Sequence, residues 1–221
     1  HRAWRRQDTV LLLVLLIPGI AVSHPGALLA VLALGTPALV VLGWWLWRAR
    51  RSVVSRVWIT VGAIGLATVG ALVLTLVRPP ASEIYWPVTG TLPTAIGEIV
   101  SAAVFGYPVA LFFAVLTAVG VVTAFIRPTY SRTFALGMGF VGAVLYVVVA
   151  GSPSETVRLW LSGPWYNNAP RLASIWAIAA VPLAAAGAAF LGRWARRSLR
   201  RYLRPNPSLV MVIFTVLLVT L

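Results

Sequence analysis

"RLASIWAIAAVPLAAAGAAFLGRWARRSLRR", residues 171–201, decides the fold. Between Arg171 and Arg193 no residue carries a charge, and crossing the hydrocarbon of a bilayer takes about 20 such residues. One arginine stands before the run, and Arg193, Arg196, Arg197, Arg200 and Arg201 crowd its far end. Trp176 and Trp194 stand near its two ends, where an amphipathic ring settles between hydrocarbon and headgroups. The stretch predicts a membrane-spanning helix whose arginine-rich end faces the cytoplasm.

The rest of the chain repeats this pattern. Of 221 residues 60% are hydrophobic and 10% charged, and the mean hydropathy of +0.93 lies well outside the soluble range. Apolar runs at about residues 9–22, 27–47, 57–77, 103–126, 133–151, 172–192 and 208–221 predict an all-α polytopic bundle. Six to seven membrane segments are expected, as a single transmembrane domain over residues 1–221 with short surface helices. The connections at 1–8, 48–56, 127–132 and 193–207 hold fifteen arginines, and the alternate connections hold only Arg78, Arg158 and Arg171. The positive-inside rule then puts the chain in the plasma membrane with its arginine-rich loops cytoplasmic and loops 23–26, 78–102 and 152–171 outside.

A net charge of +14 would suit nucleic acid, but clusters between apolar runs are what membrane topology produces, so no nucleic-acid partner is expected. Every basic residue is arginine, a bias that points to a GC-rich bacterial genome. Without cysteine there is neither a disulfide framework nor a thiolate metal site. The last run stops after 14 residues and the chain opens on His1, which reads as a piece of a longer protein. Within the segments, Ala63, Ala67 and Ala71, and again Ala180, Ala184 and Ala188, repeat small residues every fourth position, which permits close helix approach. Pro108 and Pro182 are expected to kink their helices. No charge lies deep in a segment, which speaks against ion-coupled transport.

Candidate chemistry gathers in the outer loops. His24 precedes a proline turn and is either a ligand at the loop mouth or a solvated loop residue. The loop 78–102 is too long for a connector. Its end, Thr91–Ser101, predicts a surface helix with Glu98 near its middle and Ile96, Ile99 and Val100 for its apolar side. Glu98 is a candidate base or metal ligand, or an interfacial glutamate, and Tyr85 and Trp86 either stack on a sugar or lie among headgroups. Ser152-Pro153-Ser154-Glu155 reads as a capping box, Gly163-Pro164 as the end of the helix that follows, and Asn168 as the N-cap of the next membrane helix. That cap leaves Arg171 in a first turn, where a cation opposes the positive end of the macrodipole. An anion beside it would relieve both the dipole and the charge bias.

"LSGPWYNNAPRLASIWAIAAVPLAAAGA", with "TLPTAIGEIV" before it, resembles a poorly characterised actinobacterial family of polytopic membrane proteins. Its motif is aromatic-Tyr-Asn-Asp or -Asn, two residues, then arginine. With the His-Pro turn after "LLLVLLIPGIAVS", this family distantly resembles the C-type glycosyltransferases, which use polyprenyl-phosphate sugars. The resemblance implies an outward-facing pocket built from Trp165, Tyr166, Asn167, Asn168 and Arg171, with Glu98 and His24 in assisting, catalytic roles. Asn168 stands where the family usually has aspartate, and an amide serves as a cap but not as a base.

The expected function is therefore glycosyltransferase-like work outside the plasma membrane on a lipid-phosphate-linked sugar, for cell-envelope glycan. The alternatives are a non-catalytic scaffold or subunit of an envelope complex, and a lipid or glycolipid transporter. No organic cofactor is expected, and a divalent cation is a possible addition. Expected partners are membrane lipids, a lipid-linked sugar and a membrane protein.

Overall fold

The computed structural model describes residues 25–50, 52–84 and 86–202, with side-chain surroundings as far as Ser198. The described residues contain no strand. Seven α-helices follow one another: α1 Pro25–Ala49, α2 Val53–Leu76, α3 Leu92–Ser101, α4 Leu111–Ile126, α5 Tyr130–Gly151, α6 Glu155–Leu161 and α7 Ala169–Tyr202. Single 3-10 turns at Ala81–Glu83, Val104–Gly106 and Gly163–Trp165 punctuate the connections. Of the seven, α1, α2, α5 and α7 are long and apolar enough to cross a membrane. The all-helical, membrane-embedded reading holds, at four long spans among the described residues rather than six to seven.

The difference has local causes. The expected segments at 9–22 and 208–221 lie outside the described residues. The expected run at 103–126 is interrupted, because Ala102, Phe105 and Gly106 take left-handed backbone at φ 54°, 57° and 72°, which a continuing helix excludes. Pro108 falls in the irregular stretch ahead of α4, where its missing N–H takes nothing from a helix, so it kinks none. Helix resumes at Leu111 and lasts 16 residues. Prolines inside long helices are Pro37 in α1 and Pro182 in α7.

The core lies where α4, α5 and α7 meet. A Cβ on Gly120 of α4 would sit 1.9 Å from the Leu183 carbonyl oxygen, and one on Gly187 of α7 would sit 2.0 Å from that of Leu116. The two backbones therefore touch, which glycine alone permits. Gly142 of α5 faces Trp176 and Ala179 of α7 in the same way, and Gly137 faces Pro37 of α1. Tyr146, Val149, Leu172, Ala179 and Ala180 fill the space between. Of the two alanine repeats, Ala180 and Ala184 are buried, Ala188 is exposed, and Ala63, Ala67 and Ala71 on α2 are all exposed.

The loops low in arginine converge at one end. The Trp165 indole donates to the Gly26 carbonyl at 3.1 Å, the Thr89 and Gly90 amides donate to the Ala150 carbonyl, and Arg78 reaches the Trp160 carbonyl. At the opposite end Arg48 lies over Trp44 and Arg56 over Trp47, guanidinium to ring centre 4.5 and 4.8 Å.

Candidate functional site

The corner is built by two caps and a forced turn. Asn168 Oδ1 accepts the Arg171 N–H at 2.9 Å, so the asparagine caps α7 as its position predicts. α6 is capped by Ser154, whose hydroxyl accepts the Val157 N–H, and not by Ser152. Ser152 still belongs to the end of α5, its amide donating to the Val148 carbonyl. The expected capping box is thus replaced by a cap two residues later, and Glu155 becomes the first residue of α6 instead of its third.

Between Gly163–Trp165 and α7 the chain reverses through Tyr166 and Asn167, with φ of 62° and 52°. Left-handed backbone costs a non-glycine residue about 1 kcal/mol, so neighbouring contacts must hold it. The Asn167 amide donates to the Ser162 carbonyl at 3.2 Å. The Ser162 hydroxyl lies 2.8 Å from Asn167 Oδ1 and 2.9 Å from the Arg158 carbonyl, with one proton to share between them. Asn167 and Trp165 are buried at 3% and 2% exposure, so both side chains brace the corner. Tyr166 is turned outward, and the Arg171 guanidinium stands 5.8 Å from its ring centre.

Glu98 sits in a different seam. Tyr146, fully buried in α5, donates its hydroxyl proton to Glu98 Oε2 at 2.5 Å and accepts the Phe105 N–H at 2.5 Å. The carboxylate thereby ties α3 and the turn after it to α5, and no contact joins it to Arg171. Trp86 enters through its backbone, its carbonyl accepting from Arg158 Nη2 at 2.8 Å. His24 and Tyr85 lie outside the described residues. Among the described residues no group of three histidine, aspartate or glutamate side chains gathers to hold a metal ion.

Two arginines that sequence reasoning passed over belong to this end. Arg158 is 7% exposed, and burial pushes its pKa below the ordinary arginine value against the opposing charge of Glu155. The Arg78 guanidinium lies 4.5 Å from the Trp160 ring centre, with Nη2 3.4 Å from the Trp160 carbonyl. Both Nε atoms are buried, with no hydrogen-bond acceptor among the described residues. Among the described residues no ion pair ties Arg78, Arg158 or Arg171 to a carboxylate. The signal that could have found them was available, for these are the three arginines that break the charge bias.

The model of a family of unknown function, DUF6541, matches residues 1–221. The chain belongs to DUF6541. No curated protein and no solved structure matches it. The DUF6541 match covers every helix from α1 to α7, so the arginine-bearing corner lies within the family's own extent. The family description carries no activity, and what this DUF6541 chain does is argued from the geometry of that corner.

Proposed function

We propose that this DUF6541 chain is a glycosyltransferase-like membrane protein that holds a lipid-phosphate-linked sugar at its loop corner, on the outer face of the plasma membrane, for cell-envelope glycan assembly. The observation that carries this reading is Arg171, a guanidinium in the first turn of a long helix with no carboxylate partner among the described residues, beside an outward-facing tyrosine ring. A cation there opposes the helix dipole by about 0.3–1 kcal/mol, and a bound phosphate reverses the sign of that interaction. The α7 cap uses the Arg171 N–H, Pro170 has none, and the partly exposed Arg171 side chain is the group left to meet an anion. Tyr166 offers a flat apolar face to a sugar ring or a prenyl chain. Glu98 keeps its carboxylate on Tyr146 and acts in this reading by holding α3 in place.

The test is binding and transfer of a radiolabelled polyprenyl-phosphate sugar by full-length protein. Binding is expected, weakened about 10- to 100-fold in Arg171→Ala by the loss of a charge-assisted hydrogen bond. Absence of binding by the wild type, or no change in the variant, defeats the proposal. A second reading, a non-catalytic scaffold, draws support from the amide at position 168 and from the engaged Glu98. It calls for a stoichiometric membrane-protein partner that co-purifies with wild type and is lost in Arg171→Glu.

A further inference from the structure

We infer that the α1–α2 hairpin binds an anionic phospholipid, with the phosphate on Arg56 and an acyl chain in the groove between Trp47 and one face of α2. This site lies at the end of the protein opposite Arg171 and does not depend on the reading given to that residue. An open groove of about 360 Å³ runs beside the start of α2, lined by Trp47 of α1 and by Val53, Arg56, Val57, Thr60 and Val61. The five α2 residues recur at spacings of three and four and so share one face of that helix. α2 buries no residue among the described ones and is long and apolar enough to cross a bilayer, which turns this face to lipid. Val61 lies about 7.5 Å further along the helix than Arg56. The groove therefore sets a cation at the membrane boundary and valines toward the hydrocarbon, the order of phosphate and acyl chain in a phospholipid.

Charge selects the lipid. Arg56 lies over Trp47, guanidinium to ring centre 4.8 Å, and donates its Nε–H to the Arg50 carbonyl at 2.8 Å. Its two Nη groups meet no acceptor and no carboxylate among the described residues. The side chain is partly exposed and lines the groove, so a ligand there can reach it. Thr60 gives its hydroxyl proton to the Arg56 carbonyl at 2.9 Å, which leaves the guanidinium and the Trp47 indole N–H as the donors of the lining. Trp47 stacks on Trp44 at 5.8 Å between ring centres, and Arg48 lies over Trp44, so a second cation extends the same aromatic row. No acidic residue occurs between Asp8 and Glu83, and the hairpin has no carboxylate of its own to neutralise these charges. A planar guanidinium with two unengaged donors suits a phosphate, and tryptophans settle at the level of the headgroups. Basic pockets between membrane helices favour anionic headgroups over neutral ones. A free phosphate would use the cation but not the groove, and an uncharged lipid the groove but not the cation.

The experiment uses full-length protein in micelles of an uncharged sugar detergent. Native mass spectrometry and thermal unfolding are followed with phosphatidylglycerol, with diacylglycerol, which keeps the tails and lacks the phosphate, and with inorganic phosphate. Phosphatidylglycerol is expected to be retained and to raise the unfolding temperature, while the other two are not. Arg56→Gln removes the cation and Val57→Trp fills the groove, and each is expected to weaken retention about tenfold. Arg193→Gln removes an equal charge from an exposed position on α7, and Arg171→Ala removes the cation of the α7 corner. Both are expected to retain the lipid as wild type does, which separates the groove from general positive charge and from that corner. Arg56 and Val57 belong to a helix without buried residues, so their variants are expected to fold, as unfolding in detergent alone checks. Equal retention of phosphatidylglycerol and diacylglycerol by wild type, or wild-type retention by Arg56→Gln or Val57→Trp, overturns the inference. So does a loss in Arg193→Gln as large as that in Arg56→Gln. A rise with inorganic phosphate alone gives the guanidinium to small anions, a dimer abolished by Val57→Trp gives the groove to a second copy, and either result also overturns it.

Discussion

α2 and α7 are both long apolar helices with an alanine at every fourth position, yet no residue of α2 is buried, while α7 places Leu172, Ala173, Trp176, Ala180 and Leu183 in the core. The difference lies in what faces them. Across from Gly187 and Leu183 of α7, helix α4 presents Leu116 and Gly120, and the two backbones meet. Among the described residues, no other element comes within 4 Å of where a side chain would begin on Gly62, Gly65 or Gly70 of α2. A repeat of small residues is thus only a permission to approach. In hydrocarbon, where lipid tails are as apolar as leucine, contact forms when a complementary small surface lies opposite.

The contrast is broken most directly at the glycines. Gly120→Leu is expected to lower stability by about 3 kcal/mol or to prevent folding, since the clash is with backbone that cannot rotate away. Gly62→Leu is expected to change stability by no more than about 0.5 kcal/mol. Thermal unfolding of the detergent-solubilised protein reads both, and similar losses would erase the distinction.

A smaller effect sharpens it through polar groups. The Tyr146 hydroxyl serves two partners from other elements, so Tyr146→Phe leaves a carboxylate and an amide unmet and is expected to cost about 2 kcal/mol. Glu98→Gln keeps an acceptor for the hydroxyl and is expected to cost less. In α2, by contrast, Thr60 and Thr68 donate to the carbonyls four residues back in their own helix. Thr68→Val is accordingly expected to stay within about 0.5 kcal/mol, and a loss comparable with that of Tyr146→Phe would mean that α2 makes contacts of its own.

The smallest test compares helix starts. Asn168→Ala is expected to cost about 1 kcal/mol, and Asn168→Asp to cost nothing, because either side-chain oxygen accepts the Arg171 N–H. Ser52, ahead of α2, makes no side-chain cap bond, so Ser52→Ala is expected to be silent within about 0.5 kcal/mol. Calorimetry of the single variants distinguishes the two positions.

Local signals in the sequence govern local structure. The cap at Asn168 and the helix starting after Thr91 follow from residues within one turn of each other, and both are present. Two local signals compete at Ser152, which carries a capping pattern but is held by the last turn of α5. Contacts between partners distant in the chain leave no local signal at all. Nothing near Glu98 announces that Tyr146 lies beneath it, and nothing near Arg158 announces the Trp86 carbonyl, 72 residues earlier. Arg78 and Arg158 stand out in the sequence as exceptions to the charge rule, but the burial of Arg158 does not.

By itself the sequence determined that this is a helical membrane protein, where its long apolar helices run, and which loops carry few arginines, because hydrocarbon thickness and backbone hydrogen bonding leave a chain of this composition no other solution. Tertiary structure alone decided which spans form the core and which groups go without partners. Contact between helices depends on the surface each one meets, and the satisfaction of a buried donor depends on residues that folding, and not chain order, brings beside it.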